Sequence, residues 1–199
     1  MRTVTVTGHG IAPVTPDSAV VRVSAVHRAP TLAEALAGAS SAGAAVTSVA
    51  RAHVDAARLS SRELSVWPAH DHEGRQSGFE ARHGYTVTCS DLDVAGALVT
   101  ELATQVGDRL QVEGVSLEVS DTSAAVTAAR EAAYADARAR AEHLAGLADV
   151  SLGDVQSLVE GAGAVPMARG FEALAKGDVV LEPGEGSLGQ SLTVTWAIL

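Results

Sequence analysis

Hydrophobic positions change their period several times along the chain, and each change marks an element. Val4 and Val6 alternate with Thr3, Thr5 and Thr7, the two-residue repeat of a half-buried strand. Ala19, Val21, Val23 and Ala25 alternate with Val20, Arg22, Ser24 and Val26, which predicts a second strand. Thr31-Leu32-Ala33-Glu34 has capping-box spacing just after Pro30, so a helix is expected from there to about Arg58. Its expected buried positions are Leu32, Leu36, Val46, Val49 and Val54. Glu63 to Trp67 predicts a strand, AHDHEGRQSG a polar turn, and Arg82 to Cys89 the hairpin partner, with Tyr85, Val87 and Cys89 on one side.

A helix capped by Ser90 or Asp91 is expected over about Leu92 to Val106, then a strand from Gln111 to Val119 with a bulge or bend at Gly114. The longest helix is predicted from about Ser123 to Leu147. Val126, Ala129, Ala133, Ala137, Ala141, Leu144 and Ala148 recur every three or four residues and mark one face. Asp136 and Arg140 have the favourable four-residue spacing. Val155 to Val159 reads as a short strand, and Ser191 to Ile198 closes the chain with Leu192, Val194, Trp196 and Ile198 on one side. Hairpins outnumber strand-helix-strand crossovers in this order. The fold class predicted is α+β, a largely antiparallel sheet packed against a long Ala-rich helix and two shorter helices. One domain spanning 1–199 is expected, with a long Gly-rich loop at about 160–186.

Composition narrows the function more than the fold. With 24 acidic and 14 basic residues the formal charge is −10, which argues against a nucleic-acid binder. Only 3% of residues are aromatic, so the core must rely on small aliphatic side chains. Cys89 is the single cysteine, which excludes an internal disulfide and a thiolate metal cluster. No stretch is long and apolar enough to span a bilayer, so membrane insertion is not expected. The N-terminus starts in strand-like alternation without a charged region and apolar run, and a cytoplasmic location is expected on that ground.

Gly8-His9-Gly10 raises the question of a nucleotide site. A dinucleotide fingerprint needs a third glycine and then a helix, but Pro13 stands at the third position and a β pattern follows. The glycines are instead expected to serve a bend between paired strands, needing positive φ or close backbone approach. The run VTVTGHGIAPVTPDSAVVRVSAV, with Gly8, Gly10, Pro16 and Asp17 as its turn residues, resembles the opening of the SIMPL domain family, a domain of unknown function. SSRELSVWPAHDHEGRQSGFEARHGYTVTCSDLDVAGALV resembles that family's hairpin and following helix. The Ala/Arg-rich stretch from Val112 to Gly161 and the closing PGEGSLGQSLTVTWAIL are similar to its long helix and last strands. The resemblance implies ring-like or channel-like homo-oligomers and an association with stress defence, and many relatives are exported.

Four chemical candidates stand beside that resemblance. His70, His72 and His83, with Glu73, offer imidazole and carboxylate ligands near one hairpin, although i and i+2 ligands in a polar turn are commonly solvated. Asp91-Leu92-Asp93 begins like a calcium loop, but Ala95 and Leu102 stand where ligands are required, so these acids are read as helix caps. Cys89 lies in a β pattern and is read as a small buried residue. Met167, Phe171 and Leu174 have the spacing of one helical face inside the Gly-rich loop, suited to an oligomer or partner contact. The same spacing fits a segment folded back on its own domain.

No catalytic set, cofactor or metal is assigned. The reading expected is a non-enzymatic, self-assembling binding or scaffold protein of the SIMPL type. Two alternatives stay open: a metal-binding protein or metalloenzyme using the hairpin histidines, and a monomeric adaptor binding a foreign protein through 165–174.

Overall fold

In the computed structural model the elements follow in the order β1 (Thr3–Val14), β2 (Ser18–Ala29), α1 (Leu32–His53), β3 (Leu59–His70), β4 (Gln76–Cys89), α2 (Leu92–Val106), β5 (Leu110–Glu118), α3 (Ser123–Leu147), β6 (Leu152–Glu160) and β7 (Gly186–Ile198). The structure describes residues 2–161, 181–182 and 184–199. The α+β class stands: both sheets are antiparallel, one ordered β1-β7-β6 and the other β3-β4-β2-β5. They belong to two compact units. The first takes its described residues from both chain ends and from 119–161, the second mainly from Asp17–Glu118.

In the first unit β1 pairs with β7 along its whole length, from Thr3 opposite Ala197 to Val14 opposite Gly186. The expected pairing of the first two strands is therefore corrected, because β2 lies in the other sheet. Alternation identifies a strand and its buried face but not its partner, which a distant segment supplies here. The even positions of β1 face α3. A Cβ on Gly8 would lie 2.2 Å from the Ala133 carbonyl oxygen, and one on Gly10 would lie 2.0 Å from that of Ala129. Gly8 and Gly10 are thus strand residues and not turn residues, and neither has positive φ. Close backbone approach is their role. Pro16 and Asp17 do lie in the short connection between β1 and β2.

α3 answers with Ala129, Ala133, Ala137, Ala141 and Ala145, all buried at every fourth position. Leu144, expected on that face, is 44% exposed, because it stands one position before Ala145 and so outside the buried stripe. Leu192, Val194 and Trp196 complete this core.

The second unit packs α1 and α2 on the sheet face formed by Ala19, Val21, Val23 and Ala25 of β2 with Tyr85, Val87 and Cys89 of β4. Val46, Leu98 and Leu102 are fully buried there. Thr31 and Glu34 form the expected capping box, and the Asp91 carboxylate accepts from the N–H groups of Asp93 at 2.7 Å and Val94 at 3.3 Å. α1 ends at His53, five residues before the expected limit, and a 3-10 turn Ala56–Arg58 leads into β3. Its buried side is Ala35, Ala39, Ala42, Gly43, Val46, Val49 and Ala50, while Leu32 is exposed. The small residues again set how near the helix lies. The expected irregularity at Gly114 is a bulge: Arg22 pairs with Gly114 and Val23 with Val112, leaving Glu113 as the extra residue.

Candidate functional site

The helix-free face of the second sheet is built from the other phase of β2. Arg22, Ser24, Val26 and Arg28 pair across β4 with Thr86, Gly84, Arg82 and Glu80. The bulge in β5 brings the Glu113 carboxylate to this face, where it accepts hydrogen bonds from the Ser24 hydroxyl and the Arg62 guanidinium. Arg82 Nη1 lies 3.7 Å from the same carboxylate. Gly84 leaves the crossing space: a Cβ there would sit 3.3 Å from two guanidinium nitrogens of Arg62.

Arg82 also donates to Gln111, lies over the Trp67 ring at 5.9 Å, and keeps its Nε buried with no partner among the described residues. Arg28 pairs with Glu80, and Arg22 donates to the Ser116 hydroxyl at 3.0 Å.

The Ser24 hydroxyl, then the guanidinium groups of Arg62 and Arg82, hold the Glu113 carboxyl below the usual carboxylate range against the opposing effect of its burial. An acid held ionised, with both oxygens engaged, suits a clamp across four strands better than a proton acceptor. Cys89 is fully buried, and burial pushes its thiol up despite the nearby Arg58 charge, so it does not resemble an activated nucleophile. Tyr85 is raised likewise by burial, and its hydroxyl bonds His83 Nδ1 at 2.8 Å.

The histidines do not converge. His70 pairs with Gln76 near the hairpin tip, whereas His83 lies farther along β4 opposite Leu64. Seven residues of strand separate Gln76 from His83, on the order of 20 Å. His72 and Glu73 are exposed in the turn, 3.9 Å apart. No group of three or more His, Cys, Asp or Glu with metal-site geometry occurs among the described residues. Met167, Phe171 and Leu174 lie outside the described residues.

In the first unit the two sheet edges differ. On β1 the His9 N–H donates to Asp136 at 2.8 Å, and Arg140 donates to the Thr7 carbonyl at 3.2 Å. Asp136 and Arg140, the pair expected from spacing, also bond each other at 3.0 Å. The His9 N–H and then Arg140 hold the Asp136 carboxyl low. β6, the opposite edge, pairs only with β7 among the described residues. It exposes Val155 at 43%, Leu158 at 51% and Val159 at 57%.

Residues 4–196 match the family described as SIMPL, protein of unknown function (DUF541). The chain belongs to the SIMPL family. Two relatives are each named "26 kDa periplasmic immunogenic protein", one from Brucella melitensis biotype 1 and one from Brucella abortus strain S19. Each is 26% identical over 216 residues, covering 98% of this chain and 84% of the relative.

The cytoplasmic location expected from the N-terminal pattern is corrected by these names, which point to export. A strand pattern reports how a segment folds, and carries no address for the folded domain. Among the described residues no helix is long and apolar enough to cross a membrane. The Glu113 clamp was not singled out in the sequence, although the alternating phase of Arg22 and Ser24 placed them together on one face of β2. What could not be seen was that a bulged acid from β5 and an arginine from β3 meet there.

Proposed function

We propose that this SIMPL chain is a non-enzymatic envelope protein that self-assembles, with the β6 edge of one copy pairing to a second copy. The observation that carries the reading is the contrast between the edges of the first sheet. Asp136 and Arg140 occupy backbone groups of β1, while β6 presents Val155, Leu158 and Val159 to solvent. An edge strand with exposed aliphatic side chains is a template for another strand unless it is blocked. An antiparallel self-pair centred on Gln156 would set Leu152 opposite Glu160 and Asp154 opposite Leu158, so no like charges face each other. The periplasmic relatives support an envelope setting.

Light scattering coupled to gel filtration tests this on the full chain. The expected result is a mass that is a multiple of 20.2 kDa, collapsing to one copy in a Val155→Lys/Leu158→Lys variant. Leu147→Lys, at a 71% exposed site on α3, serves as the control and should leave the assembly intact. A wild-type monomer overturns self-assembly. An assembly that survives the double substitution overturns the β6 edge as its contact.

A further inference from the structure

The second unit contains a cleft unrelated to β6. β5 pairs with β2 from Ser18 to Ala25 only, while β2 runs on to Ala29. Beyond Ala25 that side of β2 has no strand partner among the described residues. After α2 the chain turns at Gly107, whose φ of +61° favours glycine, and the 3-10 turn Gly107–Arg109 forms the far wall. The cleft between them measures about 520 Å³, within the range of small-molecule sites.

Its charges are unusual for this chain. Arg28, Arg82 and Arg109 line it against Glu80 and Asp108, with Gln111 and His27 beside them. Three guanidinium groups against two carboxylates leave one formal positive charge in a protein of net charge −10. Glu80 is already engaged by Arg28, whose side chain remains 72% exposed. Arg109 is exposed and shows no ion pair among the described residues. Arg82 is fixed in place by Gln111 and Trp67, so at least one cationic wall is preorganised. Guanidinium donors held at the rim of a polar cleft match the acceptor oxygens of a carboxylate or phosphate.

We infer that this cleft, between the end of β2 that β5 leaves uncovered and the Gly107–Arg109 turn, binds a small organic anion through Arg28 and Arg109, with Arg82 positioning the wall behind them. The recognising chemistry is a carboxylate or phosphate group on a molecule small enough to enter.

Isothermal titration of the full chain with succinate and, separately, with inorganic phosphate tests it, ionic strength being matched with sodium chloride and succinamide serving as the neutral control. Saturable binding of either anion, weakened about tenfold or more in Arg109→Gln and in Arg28→Gln but unchanged in Arg138→Gln on α3, is the expected result. Binding of succinate alone identifies the carboxylate class, and of phosphate alone the phosphate class. Absence of heat with both anions, equal binding of succinamide, or wild-type affinity in Arg109→Gln overturns the proposal. None of these outcomes depends on whether the chain assembles through β6.

Discussion

The two units share a plan, an antiparallel sheet with helix on one face, but they fill the space between layers differently. In the first, glycines on β1 meet alanines on α3, so backbone approaches backbone and almost no side-chain volume intervenes. In the second, Val46, Leu98 and Leu102 fill the interior beneath two helices. Close approach gains many dispersion contacts per residue and tolerates no added atom. A filled interior gains area per side chain and tolerates no removed one. Growth should therefore damage the first unit, and shrinkage the second.

The largest effect is expected from Gly10→Val. Its Cβ alone would sit 2.0 Å from a backbone oxygen, so α3 must move, at a cost of about 3 kcal/mol or more. Hydrogen exchange of peptides from β1 and α3 should lose protection, and wild-type protection there would break the contrast. Leu98→Ala removes a fully buried side chain from the second unit and should cost about 3 kcal/mol in denaturant unfolding. A change below about 1 kcal/mol would mean that the interior collapses around the cavity, and the two packing modes would not differ as argued.

A smaller effect tests the polar face rather than the core. The Glu113 carboxyl titrates lower in the folded chain than its ordinary value, so its contribution is present above the unfolded value near pH 4 and is lost as pH falls through the folded one. Glu113→Gln should cost about 1–2 kcal/mol at pH 7, since Arg62 and Arg82 lose a charged acceptor. That difference should shrink steadily below about pH 4. Unfolding curves of both proteins at pH 7 and pH 3 give the comparison, and a difference that does not change with pH would remove the ionised clamp from the account.

Several elements were legible in the sequence with their boundaries nearly right. α3 was predicted at its observed limits, the capping box and the Asp91 cap were read from local spacing, and the bulge near Gly114 was signalled by a glycine within a strand. These features depend on neighbours within a few residues. β3, β4 and β7 were predicted too short, because their outer residues are held by pairing across the sheet and not by their own alternation. Gly8 and Gly10, expected from the sequence in a bend between paired strands, lie inside β1 instead, where a helix more than a hundred residues away requires close backbone approach.

By itself the sequence determined the phase of each strand, the limits of the longest helix, the lean alanine-rich core and the family to which the chain belongs. It did so because period, capping and composition act over a few residues or over the whole chain at once. Only the tertiary structure decided that β1 pairs with β7, that Ser24, Arg62, Arg82 and Glu113 share one charge cluster, and that Arg28 and Arg109 face one cleft. Those groupings join residues from distant strands, and their energy comes from distances and burial that no local pattern encodes.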